Sequence, residues 1–170
     1  MDREDVRYLT LLSESFPNVA AAAAEIINLR AVLALPKGTE LFASDIHGEY
    51  EAFSHLLRNG SGSIRSKIDD AFGDSLTDQE KRDLATLVYY PKEKMELALA
   101  ATGDERAWYA TAIERLIALC RQAAGKYTVS KVRKALPPEF AYAIQELMNA
   151  NNIAVDRSAY HRAIIDAAID

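Results

Sequence analysis

Cysteine is almost absent from this chain: Cys120 stands alone among 170 residues. A single thiol closes no internal disulfide, which fits a reducing compartment. Long apolar runs are missing too. The longest, residues 19–24, falls far short of the roughly 20 residues that span a bilayer. Asp2, Arg3, Glu4 and Asp5 occupy the positions where a leader carries its basic and apolar regions. The expected location is therefore cytoplasmic, with no membrane partner. Basic charge is also in deficit. A net charge of -5 and an isoelectric point near 5.3 leave no basic face for general nucleic-acid binding. Strand-like segments are scarce, and only one stretch reads convincingly as β. What remains is an ordinary globular composition, 49% hydrophobic and 26% charged, in a chain long enough for one domain with a real core.

The dominant pattern is helical. Val6, Leu9, Leu12 and Phe16 recur at helical spacing. Pro17 stands where a second helix can start, since its missing N–H costs nothing in a first turn. That helix is expected over residues 20–35, with five consecutive alanines that let a neighbour approach closely, and Pro36-Lys37-Gly38 ends it. Tyr50, Phe53, Leu56 and Leu57 mark a helix closed by Asn59-Gly60, residues that tolerate a left-handed conformation. Ser61 or Ser63 caps the next, which carries Ile64, Ile68 and Phe72. Thr77-Asp78-Gln79-Glu80 is a capping box ahead of Leu84, Leu87 and Val88. Pro91 opens a further helix, and Gly103-Asp104 pairs a stop with an N-cap. Trp108, Ala112, Leu116 and Leu119 then line a long helix to about Gly125, with Trp108 and Tyr109 as core and rim. Val129, Val132 and Leu136 form a short amphipathic turn that Pro137-Pro138 interrupts. Phe140, Ile144 and Leu147 continue, residues 149–152 form a loop, and Tyr160, Ile164, Ile165 and Ile169 belong to a last helix.

Residues 40–44 are the one expected strand, because Leu41-Phe42-Ala43 is a short apolar run between a turn and a polar loop, as for a strand covered on both faces. Ser44-Asp45-Ile46-His47-Gly48-Glu49 follows at once. At a strand's exit, residues i and i+2 can point the same way. A carboxylate oxygen and an imidazole nitrogen so placed suit Mn²⁺, Fe²⁺ or Zn²⁺. Gly48 allows close backbone approach, and Glu49 sits at the positive end of the next helix. The alternative is that Asp45 caps that helix and His47 is an ordinary loop residue. A lone strand also leaves backbone groups unpaired, and the last helix reaches Asp170 without a stop signal. Both features suggest a natural protein that continues further.

Residues 45–53, Asp-Ile-His-Gly-Glu-Tyr-Glu-Ala-Phe, resemble the first metal-binding motif of the class III fructose-1,6-bisphosphatases, bacterial members of the calcineurin-like metallophosphoesterase superfamily. Residues 25–29, 35–40, 84–91 and 126–137 resemble the same family in the same order, so that the likeness runs from about Tyr8 to Ile165. The resemblance implies that Asp45 and His47 ligate the first metal of a two-metal centre, with Mn²⁺ as the cofactor. It implies hydrolysis of the 1-phosphate of fructose 1,6-bisphosphate, a step of gluconeogenesis. The superfamily's later blocks, G-D-x-x-D-R-G, G-N-H-[DE] and two further His motifs, have no match here. The expectation is an N-terminal portion that is inactive on its own. Its fold class is mainly α with one short β-strand, a fragment of an α/β sandwich-type metallophosphoesterase. It is organised as a single unit: N-terminal helices at 1–36, a strand-loop-helix at 37–60, and a helical covering or insert region at 61–170.

Other residues carry weaker signals. Lys126, Lys131, Arg133 and Lys134 form the one basic cluster. Lys131, Arg133 and Lys134 are candidates for a phosphorylated sugar or anionic effector, against a solvated helix face. His55 reads as a surface or boundary residue, His161 as an ordinary helix residue, and Cys120 as a buried structural thiol. A second functional class is open: a stand-alone helical interaction module derived from the enzyme and associating through its unfinished strand edge.

Overall fold

A computed structural model of the chain describes residues 2–37, 40–60, 62–149 and 156–170. Chain contacts gather into two units, Met1–Lys37 and Gly38–Asp170, where the sequence reading has one. The first holds α1 (Arg3–Ser15) and α2 (Val19–Leu33). Asp2 and Asp5 form a capping box at the start of α1. Asn18, not Pro17, caps α2: its side-chain oxygen accepts from the Ala21 N–H at 2.9 Å, and Pro17 lies one residue outside. Neither helix contains a buried residue. The turn expected at Pro36-Lys37-Gly38 and the loop at 149–152 lie partly outside the described residues.

The second unit continues with α3 (Tyr50–Asn59), α4 (Ser63–Phe72), a 3₁₀ turn at Gly73–Ser75, α5 (Asp78–Tyr89), α6 (Pro91–Ala101) and α7 (Glu105–Ala124), then α8 (Val129–Ala135), α9 (Ala141–Met148) and α10 (Ser158–Ile169). Local chemistry fixes most of the starts. Thr77 and Glu80 satisfy each other's backbone N–H groups at α5, Pro91 is the first residue of α6, and Asp104 accepts from the Ala107 N–H at α7. Gly62, at φ +58°, precedes α4 in the capping position. Gly60 is right-handed at φ -60°, contrary to the expected left-handed closure. Its lack of a side chain serves close approach instead, since a Cβ there collides with Leu41 Cδ2 and the Leu56 carbonyl oxygen.

Two hydrophobic clusters make the core, and α7 contributes to both. Leu119 joins Ile68, Leu76 and Leu84, with Phe72, Val88 and Leu116 packed around them. Ile117 joins Leu147 and Ile165, flanked by Ile113, Ile144 and Ile169. Trp108 and Tyr109 are half-buried and meet edge to face, with centroids 5.2 Å apart.

Among the described residues there is no strand. Residues 40–46 run without regular structure, and Phe42 is 89% exposed. The expected strand fails for want of a neighbour: extended backbone becomes a strand only when another segment pairs its N–H and C=O groups. The coarser expectation, a mainly helical chain, stands. Cys120 is the second correction. It is exposed rather than buried, although the groove around it is dense enough that burial pushes its thiol pKa up.

Stability should reside where the clusters are. Ile68 is 1% exposed, so Ile68→Ala is expected to cost about 2–5 kcal/mol in urea unfolding, whereas Ile27→Ala on α2 should stay within about 0.5 kcal/mol. A second expectation concerns acid. The Thr77 N–H, the Arg115 guanidinium and the Thr77 hydroxyl hold the Glu80 carboxyl down to about 2 from its ordinary 4.5. This contribution is complete above pH 4.5 and is lost as the pH falls toward 2. Glu80→Gln should therefore flatten that stretch of the stability–pH curve, read as urea midpoints at successive pH values.

Candidate metal centre

The residues that carry chemistry lie on the turn into α3. Asp45 (φ +63°), His47 (φ +53°) and Gly48 (φ +73°) all take left-handed backbone conformations, and Asp45 and His47 are the non-glycine residues that do so among those described. Aspartate and histidine tolerate this region better than most residues, yet such positions cluster where a site demands them. The Glu49 N–H donates to the Ile46 carbonyl at 3.1 Å, and the Phe53 N–H to the Glu49 carbonyl at 2.9 Å, which closes the turn and launches α3. Glu49 itself makes no side-chain cap.

This double left-handed turn brings the two predicted ligands together. His47 Nε2 lies 2.7 Å from Asp45 Oδ1, with the side chains 71% and 80% exposed. Asp45 does not cap α3, and His47 lies in the turn with its imidazole paired to the Asp45 carboxylate. The pair opens on a concavity of about 270 Å³ whose wall includes Ser44, Glu49, Phe53 and Leu56. Lys131, Arg133 and Lys134 do not line it. All three are exposed on α8, and Lys131 Nζ sits 4.7 Å from the centre of the Tyr127 ring.

The donor set fits part of a metal's surroundings. Adjacent ligands with bonds of about 2.1 Å sit about 3 Å apart when they subtend a right angle, close to the observed spacing. The number of donors does not fit a complete centre. Among the described residues, no group of three His, Cys, Asp or Glu side chains is placed to hold an ion.

The other two histidines lie on α3 and α10, outside the motif turn. His55 is exposed, stacks on Tyr90 with ring centroids 6.1 Å apart, and meets the Tyr90 hydroxyl and the Asn59 amide through Nδ1. Arg58 lies 5.2 Å above the same Tyr90 ring. These contacts tie α3 to the junction of α5 and α6. His161 is half-buried on α10, and its Nε2 has no hydrogen-bond partner.

Sequence comparison identifies the family of the chain. Residues 7–170 match the family described as Firmicute fructose-1,6-bisphosphatase. A fructose-1,6-bisphosphatase class 3 of Clostridium tetani (strain Massachusetts / E88) is 52% identical over 168 residues, which cover 99% of this chain and 25% of the relative. One of Phocaeicola vulgatus is 51% identical over 167 residues, covering 98% of this chain and 25% of that protein. No solved structure matches. The chain thus spans about a quarter of the length of the curated relatives it matches, an N-terminal portion. With its motif turn in place and the match running from residue 7 to residue 170, the chain belongs to the Firmicute fructose-1,6-bisphosphatase family.

Proposed function

We propose that this chain supplies the first two ligands of the metal centre of a class 3 fructose-1,6-bisphosphatase, an enzyme that removes the 1-phosphate of fructose 1,6-bisphosphate in the cytoplasm. The observation that carries the reading is the 2.7 Å approach of Asp45 and His47 on a turn whose backbone is strained in order to make it. Mn²⁺ is the proposed ion. When bound in a complete centre, such an ion activates water and offsets charge on the phosphoryl oxygens. The part played by this chain is to bind, through one carboxylate and one imidazole, and to keep both pointed at one place.

The surroundings of the pair support a site completed by further polypeptide. Ile46, Phe53 and Leu56 give the concavity beside the pair an apolar wall, and Phe42 on the preceding extended segment is 89% exposed. Ile46 is the one residue in 40–46 whose backbone is hydrogen-bonded among the described residues. A segment laid here would bury hydrocarbon, pair extended backbone as in the α/β sandwich, and bring the missing ligands within reach of Asp45 and His47.

Two measurements test this. The purified chain, given Mn²⁺ and fructose 1,6-bisphosphate, should release no phosphate above the buffer rate, and sustained turnover would contradict the incomplete-centre reading. Mixed with the remaining three quarters of the Clostridium tetani relative, it should restore Mn²⁺-dependent release. Asp45→Asn or His47→Asn should then lower that rate by about 100-fold or more, in line with losses seen when catalytic electrostatics are removed. Restored activity indifferent to both substitutions would remove the two residues from the site.

A further inference from the structure

A second site is built where α7, α8 and α9 meet, away from the motif turn. Arg121 fixes one side of it. Its Nε donates to the Met148 carbonyl at 2.9 Å and its Nη2 to the Leu147 carbonyl, so the C-terminal part of α7 is tied to the last turn of α9. α8, seven residues long, crosses nearby between two breaks, Gly125 before it and Pro137-Pro138 after it. Val132 and Leu136 face inward, while Val129 is 73% exposed. A cavity of about 430 Å³ remains between α8 and the α7–α9 pair, and a second hollow of about 310 Å³ shares Tyr127, Val132, Leu136 and Met148 with it. Both hollows open to solvent, and their volumes lie in the range of small-molecule sites, about 300–1,000 Å³.

The charges around the cavity identify its occupant. Six arginines follow residue 101. Four have carboxylate partners: Arg106 with Asp166 and Asp170, Arg115 with Glu80, Arg157 with Glu146, and Arg162 with Glu114. Arg121 and Arg133 have none among the described residues, and both line this cavity. Arg121 is also half-buried, with only neutral carbonyls as partners. The two carbonyls are the last of α9 and offset part of the Arg121 charge, but no carboxylate among the described residues completes the offset for Arg121 or Arg133, which leaves the pair free to take an anion between them. Among the described residues no acidic side chain lines either hollow, whereas Gln145 and Asn149 bring amide groups to the wall.

We propose that this cavity binds a small organic anion with an apolar body, its charged oxygens meeting Arg121 and Arg133 and its hydrocarbon lying on Val132, Leu136 and Met148. The proposal is independent of the metal-centre reading.

The test is titration of the ¹⁵N-labelled chain, followed by two-dimensional NMR, with phenyl phosphate, inorganic phosphate and benzyl alcohol as separate probes. Phenyl phosphate should shift resonances within residues 121–149. The other two probes should bind there at least tenfold more weakly, one lacking the apolar body and the other the charge. Arg133→Gln, at an exposed position, should weaken phenyl phosphate at least tenfold with the remaining spectrum unchanged. Leu136→Trp, which fills the cavity, should abolish the shifts. The proposal is overturned if no shifts appear, if they arise elsewhere, if benzyl alcohol or inorganic phosphate binds as tightly as phenyl phosphate, or if either variant binds like the parent.

Discussion

Burial on two faces of a single helix is the constraint from which the rest of the larger unit follows. Leu119 and Ile117 are two residues apart, which turns their side chains about 200° from each other on a helix of 3.6 residues per turn. One packs with Ile68 and Leu84, the other with Leu147 and Ile165, so α7 is the wall shared by two cores. Its orientation is pinned by charge on both sides: Arg115 to Glu80 at 2.7 Å toward α5, Arg106 and Glu114 toward α10. Exposed pairs of this kind contribute little stability each. Their value is registry, because a 20-residue helix with two apolar faces could otherwise rotate between them.

The same two-faced burial explains where the sequence was readable and where it was not. Helix starts were legible at Thr77, Pro91 and Asp104 because capping depends on residues within one turn of each other. Pro17 was placed one position too far inside, since Asn18 is the better cap and claims the boundary. Cys120 was misassigned because its place on α7 between Leu116 and Ile113 promises burial, and the hollow beside α8 that it lines leaves it exposed. The strand at 40–44 could not be judged locally at all. Its apolar run was real, but strand formation depends on a partner that none of the described residues provides.

At the metal turn, the sequence foresaw the meeting of Asp45 and His47 for an incomplete reason. Alternation along a strand was expected to align residues i and i+2. In the structure, left-handed backbone at Asp45, His47 and Gly48 folds the chain back so that Oδ1 and Nε2 face each other. The pairing of residue types was legible; the backbone that achieves it was not. The unpaired arginines were invisible for a related reason. Whether a guanidinium finds a carboxylate is decided by tertiary neighbours, and the basic run at 126–134 gave no hint that Arg121, on another helix, belonged with Arg133.

Stability and chemistry are therefore carried by different parts of the second unit. Both cores lie within residues 64–169, whereas α3, which follows the metal turn, has no buried residue. A ten-residue helix is too short to persist in water without tertiary contacts. What holds α3 is the polar and aromatic contact at one end, where His55 and Arg58 meet Tyr90, itself the cap shared by α5 and α6. The opposite end carries Glu49 without a side-chain cap and, just before it, the Asp45–His47 pair. Order imposed at Tyr90 thus travels along α3 to the turn, which leaves Asp45 and His47 positioned by the helical body while their side chains stay open to solvent.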